Sequence, residues 1–370
     1  MSTHLSRAGR ARGLEPRMPR SRQRGVALII ALILVALAAI LATKLGYDGW
    51  LERRRAVGIL ATEQAFHFGL GAEAIAAEVL AQPQYAIRSQ GTPAGQSGPA
   101  SGQPTQGQPQ ANTNQITLAQ PWAQPSQPLP ITSEEDPEGP PIGTVQGALE
   151  DMQGRFNLNN LARTIRTQTG QLQQDPEMLA QFQRILAAVG LETKWAGIAR
   201  DWIDADDQPG EPDGAEDSVY TSQNPPYRTG NWPMLSPSEL MNMPGFGADR
   251  YRKIAPYVTA LPTANAPINI CTAPAVVLES LADNLSGEYT GSPEVLINGR
   301  RTGCFPDIPT LTNVLGPTAA QRLTGRFTDT SSYFRLTTRV MLGTTQFTLY
   351  SLLYRQGGRV TPLLRTFGTL

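Results

Sequence analysis

Apolar and polar positions divide the chain into stretches of different period. Val26 to Ala42 (VALIIALILVALAAILA) is apolar throughout. Its seventeen residues reach about 26 Å as a helix, near the short limit for spanning a hydrocarbon core. Behind it, Lys44 to Gln82 contains no proline, and Val57, Leu60, Ala61, Ala65, Phe68, Ala72, Ile75, Ala76 and Val79 recur at three- and four-residue spacing, which marks one amphipathic helical face. Pro83 supplies a stop. Together these stretches predict one helix over 26–82, about 57 residues and roughly 85 Å long. Between 91 and 130 the chain is built almost wholly of Gln, Pro, Gly, Ser, Thr, Ala and Asn, and predicts a disordered insertion with Ile116, Leu118 and Trp122 as weak contacts. Alternation at Phe156 and Leu158 predicts strand within 143–160, and helical spacing returns at Pro176 to Leu191 and Trp195 to Ile203. The tail is β-rich: Tyr333–Leu342, Gln346–Tyr354 and Val360–Phe367 are separated by Gly343-Thr-Thr and Gly357-Gly358, the pattern of an antiparallel meander.

Charge orients this layout. Arg7, Arg10, Arg12, Arg17, Arg20, Arg22 and Arg24 stand before the apolar run against a single Glu15, so the positive-inside rule keeps the N-terminus in the cytoplasm and sends the remainder across. The formal net charge is zero, but with residues 1–25 set aside, 24 basic residues face 30 acidic ones. That acidic balance argues against a nucleic-acid footprint. Cys271 and Cys304 both fall on the exported side, where oxidation is permitted, so a disulfide is expected, with two buried thiols as the other reading. Past residue 25 the only histidine is His67, around which no Ser/His/Asp or Cys/His set assembles, and Glu135-Asp136 lacks anything to fix it as a hydrolytic carboxylate pair. An enzyme is not expected.

A basic leader, a glycine immediately before an apolar run, and a long helix whose second half is amphipathic together resemble the type IV prepilin and pseudopilin class. The resemblance implies that a membrane prepilin peptidase cuts between Gly25 and Val26, with methylation as a companion modification. The class usually carries Glu at the fifth mature position, where this chain has Ile30. That substitution resembles the K-type minor pseudopilins of type II secretion systems, and a subunit without the glutamate has no charge to pair with a subunit above it, which suits a tip position. A plain signal anchor is the alternative reading of this segment. The stretch QGRFNLNNL at 153–161 resembles the K-type segment where the first strand hands over to an inserted helical domain, and Asn269-Ile-Cys-Thr-Ala-Pro274 resembles the family's N-x-N-T-A-P segment.

The densest chemistry is Asp201-Trp-Ile-Asp-Ala-Asp-Asp-Gln-Pro-Gly-Glu-Pro-Asp-Gly-Ala-Glu-Asp217, eight carboxylates in seventeen residues with no Lys or Arg among them. Clustered carboxylates repel unless a cation is present, and hard oxygen ligands in a flexible loop suit calcium; a solvated acidic loop is the alternative. The resemblance to K-type pseudopilins implies Ca2+ with Asp201, Asp204, Asp206, Glu216 and Asp217 as ligands, and Asp207 and Asp213 as further candidates. Ser236 to Ala255 resembles a helix-hairpin-helix, with Ser236 as cap and Pro244-Gly-Phe-Gly247 as the turn. Such a turn packs helices together, or in DNA-binding versions offers its N–H groups to phosphate, with Arg250, Arg252 and Lys253 in support.

The expected fold is α+β: a pilin-like long N-terminal helix packed on an antiparallel sheet formed by 143–160 and 325–370, with an inserted all-α domain over 161–324 containing the hairpin turn. The implied role is structural, at the tip of a secretion pseudopilus, initiating or capping its assembly. Expected partners are the I- and J-type minor pseudopilins, with the H type, the inner-membrane assembly platform and the prepilin peptidase, and no nucleic acid. The implied setting is the bacterial inner membrane, single-pass, with the globular part periplasmic. The competing reading is a membrane-anchored, extracytoplasmic DNA-binding protein.

Overall fold

The computed structural model describes residues 24–82, 115–124, 126–133, 135–167 and 169–367, with side chains described from Val26 onward. The expected leader over 1–23 and the part of the insertion over 91–114 lie outside these residues. The chain divides into two compact units, Met1–Leu60 and Ala61–Leu370.

The long helix α1 runs Arg24–Ala81. Its segment in the first unit includes a window long and apolar enough to cross a membrane, and there Val26, Leu28, Ile30, Leu34 and Leu41 are each more than half exposed. This is how a helix meant for lipid looks when only protein is counted. Within the second unit, the stretch of α1 from Ala61 onward buries Ala65, Gly69, Glu73, Ala76 and Leu80. This stripe corrects the expected one: Phe68 and Ile75 are exposed, and small residues occupy the face because the sheet comes close. A Cβ on Gly69 would lie 3.2 Å from Leu349 Cδ2.

The sheet that receives this stripe has five antiparallel strands in chain order, β1 Leu129–Ile131, β2 Gly143–Asp151, β3 Tyr333–Leu342, β4 Thr345–Gln356 and β5 Arg359–Phe367. Phe334, Leu336, Thr338, Val340 and Leu342 alternate inward along β3, the period-two signature of a sheet with one buried face. β2 pairs with β3 from Gly143↔Leu342 to Asp151↔Phe334, so adjacent strands flank everything from 152 to 332.

Two expectations change here. Residues 115–124 and 126–130, expected as part of a disordered insertion, are ordered: Ile116 and Trp122 are buried with Leu80, Phe334 and Leu353, and β1 begins at Leu129. Trp122 meets Phe334 edge-on at 5.4 Å, and two large apolar side chains suffice to dock a segment whose composition is otherwise polar. Strand β2 ends at Asp151 rather than near 160. Beyond it Phe156–Asn157 pairs in parallel with Val258–Thr259 inside the insert. Its asparagines bracket distant backbone: Asn157 accepts from Leu261 N (2.9 Å), Asn159 donates to Leu261 O (2.8 Å) and accepts from Met234 N (2.8 Å), and Asn160 exchanges bonds with Ala266. QGRFNLNNL is thus the entry clamp of the insert and not sheet.

The insert is chiefly helical, though three short two-stranded ladders run through it. One apolar cluster gathers Phe156, Phe182, Trp195, Trp202, Tyr220 and Phe246 around α2 (Pro176–Ala188), α3 (Trp195–Ile203), α4 (Asp217–Tyr220) and α5 (Gly247–Ile254). A second surrounds α6 (Ala275–Glu279) and α8 (Ile308–Leu315), after α7 (Pro293–Gly299). Cys271 and Cys304 form a disulfide across that second cluster, with Cα atoms 4.5 Å apart and a sequence separation of 33. Closing a loop of that length constrains the unfolded chain by about 4 kcal/mol on the chain-entropy account.

The sheet joins the insert at Asp151, which is fully enclosed. One oxygen accepts from Asn269 Nδ2 (2.8 Å), Thr272 Oγ1 (2.6 Å) and Ser331 Oγ (2.6 Å), and the other from Gln153 N (2.9 Å). Asn269 also donates to Ile116 O (2.9 Å), so one carboxylate ties the end of β2, the docked 115–124 segment and both ends of the insert. Burial pushes its pKa up, against the pull of those donors.

Candidate metal centre

The acidic stretch lies between the end of α3 and the start of α4, and a carboxylate shapes it from within. Asp201, in the last turn of α3, is fully buried, and its Oδ2 accepts from Gly210 N (2.8 Å) and Ala215 N (3.0 Å). The loop therefore folds back over the helix end. The two glycines are sterically required: a Cβ on Gly214 would lie 2.3 Å from Asp201 Oδ2, and one on Gly210 would collide with the Arg200 guanidinium, which pairs with Asp201 Oδ1 at 3.4 Å.

Folding the loop this way brings together three of the five expected ligands. Oxygens of Asp204, Asp206 and Glu216 all lie within 4.8 Å of one another. Asp204 caps the C-terminus of α3 and Glu216 occupies the N-cap of α4 without a side-chain capping bond. Asp206 Oδ1 accepts from Gln208 N (2.9 Å), and Asp204 Oδ2 from Gln174 Nε2 (3.1 Å). What remains is unusual: Asp204 Oδ1 and both Glu216 oxygens are buried without a hydrogen-bond partner.

The other expected ligands are engaged elsewhere. Asp201 is the loop's internal anchor. Asp217 Oδ1 accepts from Thr229 N (3.1 Å) and Oγ1 (3.0 Å), while Arg228 pairs with its Oδ2 at 3.4 Å. Of the further candidates, Asp207 accepts from Asn231 Nδ2 (3.0 Å), and the Asp213 backbone packs within 3.2 Å of where a Cβ on Gly197 would sit. The candidate set is thus narrower than composition suggested, because a carboxylate in such a run can serve the loop as easily as an ion.

Electrostatics follow from the crowding. Burial, then the charges of Asp201 and Asp204, push Glu216 up to about 7, with the nearby Thr229 side chain opposing and the charge of Asp206 adding to the rise. Burial pushes Asp204 up to about 6, with the Gln174 hydrogen bond opposing and the charges of Asp206 and Asp201 adding to the rise. Three carboxylates held this close cannot all ionise comfortably. A divalent cation removes the conflict, and an all-oxygen donor set with buried unpartnered oxygens fits a hard cation such as calcium. Asp204, Asp206 and Glu216 are the side chains that would hold it.

The hairpin turn has a different character. Gly245 takes φ +84°, the left-handed geometry its tight turn needs, and Phe246 inserts edge-on against Trp195 at 5.1 Å. Arg250 is committed inward: it binds both Glu192 oxygens (2.9 and 3.1 Å), donates to Gly245 O (3.0 Å) and lies over the Trp195 ring. Arg252 pairs with Asp249 at 2.8 Å. These contacts support the packing role of the turn.

Sequence reasoning passed over two features: the Asp151 knot, and Asn231, which binds the acidic loop from outside it. Neither carries a local signal, since each is an ordinary polar residue whose partners are distant in sequence.

A long N-terminal helix with a membrane-length apolar segment, an antiparallel sheet on its distal part, and a helical insert between neighbouring strands define a pilin-like protein with an enlarged head. A family model for the type II secretion system (T2SS), protein K, matches residues 154–263, the entry clamp through the hairpin. Type II secretion system protein K of Pseudomonas aeruginosa is 29% identical over 356 residues, covering 94% of each chain. The protein of the same name from Klebsiella pneumoniae is 30% identical over 255 residues, covering 68% of this chain and 67% of its own. Among solved structures, the crystal structure of the GspK–GspI–GspJ complex from the enterotoxigenic Escherichia coli type 2 secretion system matches with a TM-score of 0.66 at 23% identity, over 85% of this chain and 100% of that one. The chain belongs to the type II secretion system protein K family.

Proposed function

We propose that this minor pseudopilin sits at the tip of the type II secretion pseudopilus and starts or caps its assembly. The observation that carries the reading is the placement of the insert: residues 152–332 are added between the adjacent strands β2 and β3, enlarging the head of a pilin-like subunit where another subunit would otherwise stack. Ile30, in place of the glutamate usual in the class, is consistent with a subunit that has none above it. In this reading the chain is held in the bacterial inner membrane by α1 with its head in the periplasm, is cleaved between Gly25 and Val26 by the prepilin peptidase, and assembles with I- and J-type minor pseudopilins, as the composition of the similar solved complex suggests. N-terminal sequencing of the mature protein is expected to begin at Val26. Co-expression with the I- and J-type subunits is expected to yield a detergent-stable ternary complex, and a full chain that purifies without them would sink the assignment.

The head is stabilised in this reading by calcium at Asp204, Asp206 and Glu216, and the orphaned oxygens of Asp204 and Glu216 within that cluster are the supporting observation. The ion's contribution is charge compensation that fixes the loop between α3 and α4. Calorimetric titration of calcium into the chelator-treated full chain in detergent micelles tests it. A melting temperature that rises with calcium in the unaltered chain and not in Asp204→Ala is expected, and no heat and no shift would return the loop to a solvated face.

A further inference from the structure

Three carboxylates are few for an ion that takes roughly six to eight oxygens, and the structure shows where another donor is prepared. Asn231 is, among the described residues, the one non-glycine with positive φ, at 43°. Asparagine tolerates that region better than most residues, though at some cost relative to extended backbone. The segment carrying it is tethered at both ends to the acidic loop. Thr229 donates twice to Asp217, the residue following Glu216, and Asn231 Nδ2 donates to Asp206 O (3.3 Å) and Asp207 Oδ1 (3.0 Å). Between them Gly230 lies so close to the end of α3 that a Cβ there would be 3.1 Å from Trp202 Nε1 and 3.2 Å from Trp202 O. Because Nδ2 faces two acceptors, the orientation of the amide is settled by chemistry, and Oδ1 must face away from them. That oxygen is buried and has no partner, as are Asp204 Oδ1 and both oxygens of Glu216.

Resting on the calcium reading above, we propose that Asn231 completes the site: its amide oxygen is a neutral ligand of the cation held by Asp204, Asp206 and Glu216, and segment 229–231 is the strap that closes the loop over the ion. A neutral oxygen suits the position, because a fourth carboxylate would add repulsion to a cluster that already carries three, while an amide adds a ligand without charge. The left-handed backbone then has a role, since it lets Nδ2 hold the loop while leaving Oδ1 free to serve as the ligand.

The test uses the full chain in detergent micelles, with terbium as a luminescent stand-in for calcium and calcium affinity measured by competition. Luminescence lifetimes in H2O and D2O count the waters on the ion. Asn231→Gly keeps the backbone conformation and removes the oxygen; Asn231→Asp keeps an oxygen and removes the Nδ2 donors. If Oδ1 is a ligand, Asn231→Gly gains about one bound water and weakens calcium by about tenfold or more, whereas Asn231→Asp keeps the water count and binds calcium more tightly than Asn231→Gly. Asn231→Gly with an unchanged water count, or Asn231→Asp weakened as much as Asn231→Gly, would overturn the proposal and leave only a tether. Absence of terbium and calcium binding in the unaltered chain would overturn the metal reading itself, and the proposal with it.

Discussion

The acidic loop and the junction at Asp151 both bury carboxylates, and they resolve the cost in opposite ways. Asp151 is surrounded by donors that the fold brings from Gln153, Asn269, Thr272 and Ser331. Glu73 of α1 is another such case: buried in the second unit, it accepts from Ser351 Oγ (2.6 Å) and from Arg365 Nε (2.9 Å) and Nη2 (2.7 Å). Glu216 is as buried as these, yet neither oxygen has a partner and its neighbours are Asp201 and Asp204. A buried carboxylate that the protein satisfies is part of the scaffold. One that it leaves unsatisfied, beside others, keeps the cost of its charge uncompensated within the protein.

That contrast is sharpest at Asp151. Replacing it with Ala leaves four buried donors facing a void, and the expected loss is about 4 kcal/mol, the sum of several unsatisfied groups. The chain's denaturant midpoint should fall whether or not calcium is present; a calcium-dependent loss would blur the distinction between the two regions. Next in size is Glu216→Gln. If calcium binds as proposed, then at a concentration a hundred times its dissociation constant the ion should stabilise the unaltered chain by about 2.7 kcal/mol, and the substitution should abolish that gain. In chelator the same variant should melt no lower than the unaltered chain, because one charge of a repelling trio is gone. A scaffold carboxylate cannot show that reversal of sign.

A smaller effect is expected at Glu73. Burial raises its pKa, but the Arg365 and Ser351 hydrogen bonds and the Arg365 charge outweigh it and hold the group below the ordinary glutamate value. A depressed pKa contributes stability that is present above the unfolded value and lost as pH falls through the folded one. Glu73→Gln should therefore cost about 1–2 kcal/mol at neutral pH, discounted because Arg365 is partly exposed. The cost should fade as pH falls below the ordinary glutamate range and through the depressed folded value, where both chains become neutral at that position, whereas a pH-independent cost would mean that shape and not charge matters there. Least of all is Arg250→Ala on the hairpin. Its pair with Glu192 is solvent-exposed, so the loss of stability should be the smallest of the four, and binding of duplex DNA by the full chain should be absent before and after. Salt-dependent DNA binding abolished by Arg250→Ala would revive the competing reading of the turn.

Much of the architecture was legible in the chain. The continuous helix followed from an apolar run passing without proline into a helical repeat, and the meander from β-rich runs separated at Gly343 and Gly357-Gly358. The face of α1 was read wrongly at Phe68 and Ile75, because size suggested core where close approach to Leu349 selects Gly69 and the small residues around it. The polar stretch 115–130 was read as disordered because composition averages hide two anchoring residues, Ile116 and Trp122. At the site, the loop and its acidity were plain, but of the five expected ligands the fold gathers Asp204, Asp206 and Glu216 and engages Asp201 and Asp217 elsewhere. Which carboxylates are free depends on which backbone amides reach Asp201 and which threonine reaches Asp217.

By itself the sequence determined what depends on neighbours along the chain: a membrane-length segment behind arginines, a glycine at its edge, an acidic loop without counter-charge, and the strands of the tail. Only the tertiary structure decided the pairing of β2 with β3 across the whole insert, the Glu73–Arg365 bond, the Asp151 knot and the position of Asn231. The physical reason is range. Helical and strand periods are set by neighbouring residues and leave a local trace, whereas hydrogen bonds and unpartnered oxygens are settled by groups that meet only when distant segments pack.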